Sequence, residues 1–246
     1  FDPRLISFVP PFVAQAAMDT GVARRPIEDM DEYRRSLARR LDPTASFLQG
    51  LQATVRQNEK RIVFAEGEEP SVVRAAFSFK NQGLGEPILI GREEQVNRTM
   101  AQMGVPEGSL EIINARLSDR NPEYTDYLYK RLQRQGFLRR DVQRLVNQDR
   151  NVFGSCMLEF GDADGMVTGV TRNYDVALKD VQLTLDAIPG RKVMGMSMVI
   201  NQGKTVFIAD TSVTELPMAD DLVHTAVEAA NAVRSLGFIP RVALLS

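Results

Sequence analysis

The residue pattern with the most chemical potential is Thr168–Gly169–Val170–Thr171–Arg172–Asn173–Tyr174. It follows a short apolar run bracketed by Gly165 and Gly169 and leads into a helical pattern, Tyr174 to Leu185. Two hydroxyls, a guanidinium, an amide and a flexible glycine at a helix start can hydrogen-bond an anionic ligand. The same residues also make a structural turn with Arg172 paired to a local carboxylate, and composition does not choose between these readings. A second cluster, Glu66–Gly67–Glu68–Glu69–Pro70, ends another apolar run, Arg61 to Ala65. Its three carboxylates repel phosphate. They are better placed to cap the helix opening at Pro70, or to accept hydrogen bonds from a partner subunit.

Other chemistries are limited by counts. One cysteine, Cys156, and one histidine, His224, exclude Cys- or His-rich metal sites and internal disulfides. Cys156 lies among Phe153, Met157 and Leu158 and reads as a small buried hydrophobe. His224 sits inside a long helical pattern and reads as structural. In Gly161–Asp162–Ala163–Asp164–Gly165, placing Gly165 at the sixth position of a calcium loop puts Phe160 first and Thr171 last, so the EF-hand reading fails and turn chemistry is preferred. Neither a phosphate loop nor a dinucleotide fingerprint occurs, since Gly83–Leu84–Gly85 precedes a strand rather than following one. Between Lys130 and Arg150 seven residues are basic and two acidic. Such a stretch is most often a solvated helix face or an oligomer contact, with a phosphate-rich ligand as the lesser reading.

The elements that must position these residues follow from the hydropathy pattern. The 246 residues are 43% hydrophobic and 25% charged, with net charge −2, which suits a folded chain and gives no whole-protein attraction to nucleic acid or an anionic membrane. The longest apolar runs fall far short of a membrane span. A reducing cytoplasmic setting is expected. Strands at Arg61–Glu66, Ile88–Ile90, Leu110–Asn114 and Gly165–Gly169 alternate with helices at Val72–Lys80, Gln95–Met103, Tyr124–Gly136, Arg139–Asp149 and Val152–Phe160, which predicts a parallel sheet with crossover helices. Lys192–Ile200 and Thr205–Asp210 predict a hairpin, Pro217–Leu236 a long amphipathic helix, and Val242–Leu245 the start of a strand. Phe47, Leu48, Leu51 and Val55 recur at helical spacing, as do Tyr33, Leu37 and Leu41. Near the start, Val13 to Met18 reads as a short helix stopped by Gly21. The opening at Phe1 and the terminal strand suggest a piece of something longer.

Several segments together resemble the phosphate acetyltransferase family. They are Arg61–Ile62–Val63–Phe64–Ala65–Glu66–Gly67–Glu68, Pro87–Ile88–Leu89–Ile90–Gly91, Gly161 to Gly169, Phe207–Ile208–Ala209–Asp210 and Arg241 to Ser246, in family order and spacing. Phe1–Asp2–Pro3–Arg4–Leu5–Ile6, Val9–Pro10–Pro11 and Ala16 to Ala23 look like the end of the catalytic part of the large bacterial malic enzymes, in which such a module is fused at the C-terminus. The resemblance implies an α/β fold of two three-layer subdomains, the second incomplete here, with a ligand cleft. It divides the chain into a malic-enzyme arm and linker (1–42), a first α/β subdomain (43–160) and a second (161–246). Stand-alone family members carry an Arg-Pro pair near the position of Lys179–Asp180 and an arginine where Leu132 stands. Lysine lacks the bidentate fork that grips phosphate. The resemblance therefore implies no catalytic residue and no metal site in this module, and an assembly and acetyl-CoA-sensing role within a homo-oligomer. An active acetyltransferase and a purely structural dimerisation module are the alternatives. Thr168, Gly169, Thr171, Arg172, Asn173, Tyr174 and Lys179 are the candidate contacts to acetyl-CoA or phosphate. The parent would use NAD(P) and a divalent metal, magnesium or manganese, elsewhere.

Overall fold

In the computed structural model, residues 5–41, 50–52, 54–201 and 204–245 are described. Phe47 and Leu48, part of one expected helix, lie outside them. The chain divides into two compact units, one formed by 1–54 with 189–246 and the other by 55–188.

The first unit opens with helices α1 (Leu5–Asp19) and α2 (Met30–Leu41), which pack on each other. α1 starts well before the expected Val13 and runs through Pro10 and Pro11. Each proline removes one backbone donor, so the sequence pattern argued against a helix there. α2 is capped by Asp29, whose carboxylate accepts from the Asp31 and Glu32 backbone N–H groups, and it buries Leu37.

The 55–188 unit is built on four parallel strands: β1 (Arg61–Phe64), β2 (Glu86–Ile90), β3 (Glu111–Ile113) and β4 (Gly165–Val167), in the order β3-β2-β1-β4. The crossovers are α3 (Pro70–Asn81) and α4 (Glu93–Gln102), then the run α5 (Asn121–Leu132), α6 (Arg139–Gln148) and α7 (Arg150–Glu159). Strand alternation sorts the core into two faces. Phe64 and Leu89 pack with Val72, Val73, Ala76, Val96 and Met100 of α3 and α4. Val63, Ile88 and Ile90 pack on the other side with Tyr124, Leu128, Val142, Val146 and Phe153 of α5, α6 and α7. Cys156 and Leu132 are both in this second layer, fully buried. Helix α8 (Tyr174–Thr184) follows β4 and packs against α7. Arg131 of α5 holds its far end, donating to the Leu183 carbonyl at 2.8 Å and pairing with Asp186.

The remaining elements belong to the first unit: β5 (Met196–Asn201) and β6 (Lys204–Ala209) form an antiparallel hairpin, and α9 (Ala219–Ser235) packs against β6. β4, which follows the boundary expected at 160/161, hydrogen-bonds β1 and completes the sheet of the 55–188 unit. Residues 242–245 form no strand. A strand needs a ladder partner, and they have none among the described residues; Ile239 and Leu245 are more than nine-tenths exposed.

The turn into β2 is tight. Gly85 has φ +147°, and a Cβ there would lie 2.3 Å from the Lys60 carbonyl oxygen, a backbone atom that cannot rotate away. Gly85→Ala is expected to cost about 2 kcal/mol or more in unfolding free energy by denaturant titration, combining backbone strain with overpacking. Wild-type stability in that variant would contradict the close approach.

Candidate functional site

The sheet order reverses at β1: β2 and β3 extend on one side and β4 is added on the other. In parallel α/β sheets the carboxyl ends of the two strands flanking such a reversal form a crevice where ligands bind. The β1 end carries Glu66, and the β4 end carries the Thr168–Tyr174 corner. Pairing of Phe64 with Val167 places the two side by side.

The carboxylate of Glu66 meets the 169–171 turn at this strand end. Its Oε2 accepts from the Gly169 and Val170 backbone N–H groups at 3.0 and 2.8 Å. Its Oε1 accepts from the Thr171 N–H and the Thr171 hydroxyl, both at 2.7 Å. Glu66 is only 2% exposed. Burial alone would raise its pKa, but the Thr171 and Val170 bonds and the Arg150 charge outweigh that and hold it below its ordinary value. A three-amide cradle that can hold an anion therefore holds the chain's own.

A second layer of polar contacts fixes the corner from outside. Thr168 donates to Asn151 Oδ1 at 2.5 Å, and Asn151 Nδ2 donates to Asp180 at 3.1 Å. Arg172 Nη1 donates to Asp149 at 2.6 Å and also to Asp180. Asp149 is the N-cap of α7 and accepts from the Asn151 and Val152 N–H groups at 2.9 and 3.1 Å. Of the two readings of Arg172, the carboxylate-paired turn is the observed one. Desolvation lowers its pKa, but Asp149 and Asp180 more than compensate and raise it, so the guanidinium stays charged.

The acidic cluster does not cap the Pro70 helix through its side chains. Glu69 occupies the N-cap without a side-chain bond. Glu68 instead takes a bidentate grip from Arg92, at 2.8 Å on each oxygen, which holds its carboxyl down at about 2. Helix-terminus chemistry alone favours capping; the actual partners, Arg92 and the 169–171 turn, are distant in sequence. Elsewhere, Asp164 accepts from Lys60 and the Arg61 N–H, and Asp162 pairs with Arg120 and Tyr124, so both act as ties. Burial pushes the Cys156 thiol up to about 12. His224 lies half-buried in α9 and makes no hydrogen bond among the described residues. In the basic stretch, Arg131 pairs with Asp186 and Arg139 with Asp126.

Of the seven expected ligand contacts, the structure brings Thr168, Gly169, Thr171 and Arg172 together but engages their donors internally. The side chains of Asn173, Tyr174 and Lys179 have no partner among the described residues, and Lys179 is exposed. The corner itself is open: Val170, Tyr174 and Val176 are each about half exposed.

A family model described as phosphate acetyl/butaryl transferase matches residues 46–246. The chain belongs to this family. An NADP-dependent malic enzyme of Rhizobium meliloti is 52% identical over 248 residues, covering 100% of this chain and 33% of that enzyme. A phosphate acetyltransferase of Escherichia coli is 29% identical over 211 residues, covering 85% of this chain and 29% of that enzyme. The chain thus spans about a third of the length of the curated relatives it matches. Among solved structures, a phosphotransacetylase from Streptococcus pyogenes has a TM-score of 0.76 at 26% identity, over 82% of this chain and 62% of that one. This phosphate-acetyltransferase-type α/β fold agrees with the parallel sheet. No helix among the described residues is long and apolar enough to cross a membrane.

Glu66→Gln would set an amide NH2 against one of the four donors and remove the charge. It is expected to lose about 2 kcal/mol or more at neutral pH by denaturant titration. Because the folded pKa of Glu66 lies below its ordinary value of 4.5, its stabilisation is complete above that value and is lost as pH falls through the folded pKa. The difference between wild type and variant should therefore narrow in acid. A constant difference from neutral to acid pH would contradict the assignment.

Proposed function

We propose that this chain is the phosphate-acetyltransferase-like module of a malic enzyme, serving homo-oligomer assembly and a response to acetyl-CoA rather than acetyl transfer. One observation carries the reading: Arg172, the guanidinium at the corner, is committed to Asp149 and Asp180. An arginine committed to two carboxylates contributes little to gripping the phosphate that exchanges an acetyl group with coenzyme A, and poor positioning forfeits much of a transfer rate. Lys179, near the position of the family's arginine, offers a point charge without a fork.

Identity supports the malic-enzyme context. The malic-enzyme match takes in the residues before 46, which lie outside the family model, whereas the acetyltransferase match covers 85% of the chain. The outward face of the corner supports ligand sensing: Asn173, Tyr174 and Lys179 are uncommitted beside half-exposed Val170 and Val176. We assign the acyl and pantetheine parts of acetyl-CoA to the apolar residues and an anionic part to Lys179. Assembly is supported by exposed apolar residues on α1, at Phe8, Phe12 and Val13. Malate oxidation, with NAD(P) and magnesium or manganese, is assigned to the rest of the parent. The described residues hold no group of three His, Cys, Asp or Glu side chains placed for a metal.

Sensing requires acetyl-CoA to favour one of two conformations. Titrating acetyl-CoA onto the full-length enzyme should lower malate turnover, and Lys179→Ala should raise the half-effective concentration by about fivefold or more, the scale of one lost charge-assisted contact. Malate kinetics that ignore acetyl-CoA would overturn the regulatory reading.

A further inference from the structure

Helix α8 joins the Thr168–Lys179 corner to the chain that leaves the 55–188 unit at 188. Its last carbonyls have no acceptor role within the helix, as at any helix end. Side chains of α5 supply the missing donors. Tyr127 donates from its hydroxyl to the Thr184 carbonyl at 3.0 Å. Arg131 donates from Nε to the Leu183 carbonyl at 2.8 Å and from Nη2 to the Gln182 carbonyl at 3.5 Å. The same guanidinium is bidentate on Asp186, just past the helix. A cation here also suits the negative end of the helix dipole. One arginine therefore holds the end of α8 and the start of the connecting segment in a single grip.

Little else fixes this stretch. Within α8 only Ala177 and Thr184 are buried, and the helix packs mainly on α7 and α5. Residues 186–190 are all exposed, and no helix or strand forms from 185 until Met196. Beyond them Arg191 and Lys192 pair with Glu228 and Asp221 of α9. Residues 187–190 alone separate the two sets of ion pairs, and four residues reach at most about 14 Å. So short a tether passes on a displacement of either anchor, where a long loop would absorb it. Tyr174 and Lys179, both assigned above to the acetyl-CoA face, are on α8 itself. A ligand that pulls on them shifts the helix as a rigid body. We propose that Arg131 is the positioning residue that couples the corner to the rest of the parent enzyme, by making the end of α8 and the segment after it move as one. The element with two arrangements is α8 with residues 185–186, whose seat on α5 acetyl-CoA shifts. The inference rests on the acetyl-CoA reading and adds the route by which occupancy is passed on.

The test compares wild type with Arg131→Met in the full-length enzyme, reading acetyl-CoA binding by calorimetry and the acetyl-CoA response by malate turnover. Binding should stay within about fivefold of wild type, because Tyr174 and Leu183 are roughly 14 Å apart along the helix. The acetyl-CoA-dependent change in turnover should shrink by about fivefold or more, the lower end of coupling between sites. Arg131→Lys, which keeps the charge without the fork, should restore part of the response. Asp186→Asn removes only the exposed partner. It should weaken the response in the same direction, and it carries the test where Arg131→Met does not fold. Amide exchange gives a readout that needs no ligand. The Leu185 N–H, bonded to the Val181 carbonyl at 2.9 Å, should exchange about tenfold faster or more in Arg131→Met while β1 stays protected. Variants that respond to acetyl-CoA as fully as a responsive wild type would overturn the coupling role and leave the regulatory reading standing. Loss of binding together with response would place Arg131 in the binding site and overturn it too. A wild type whose malate kinetics ignore acetyl-CoA would overturn the regulatory reading, and this inference with it.

Discussion

The carboxylate of Glu66 sits at the end of β1 with almost no solvent contact, and four donors from residues 169–171 close around it. A buried charge is tolerated only when its lone pairs are satisfied, so the turn after β4 has to take this one shape. That shape aims the start of α8, turns Arg172 toward α7 and α8, and leaves Val170 and Tyr174 facing out. The β1–β4 pairing brings carboxylate and turn together across more than a hundred residues of sequence. The network through Thr168, Asn151, Asp180, Arg172 and Asp149 then ties the turn to two helices.

The functional consequence is a division of labour among cations. The guanidinium nearest the strand-order reversal is neutralised by carboxylates from neighbouring helices, which suits holding a shape better than meeting a charge that develops during reaction. Lys179 on α8 is exposed, with no side-chain partner among the described residues.

Much of this was legible beforehand. Short β-branched runs ending in glycine located β1, β2 and β4, and the alternation with helices implied a parallel sheet, so the Thr168–Tyr174 corner was placed correctly at a strand end. Local patterns could not show what the corner touches. Glu66, Asp149 and Asp180 are its partners through strand pairing and helix packing, which are properties of the tertiary fold. The pairing of β4 with β1 is likewise tertiary, since nothing near Gly165 in sequence names its ladder partner. In sequence Arg150 is only the end of the basic stretch from Lys130, and its bond to the Thr171 hydroxyl comes from the tertiary fold.

Amide hydrogen exchange at Gly169, Val170 and Thr171 reports most directly on the internal anion. The three amides should exchange as slowly as those of β1 in wild type, and they should accelerate by about a hundredfold or more in Glu66→Gln while the amides of β2 stay protected, since local opening then no longer breaks charge-assisted bonds. Rapid exchange of these amides in wild type, or equal protection in the variant, would show that the carboxylate does not hold the turn.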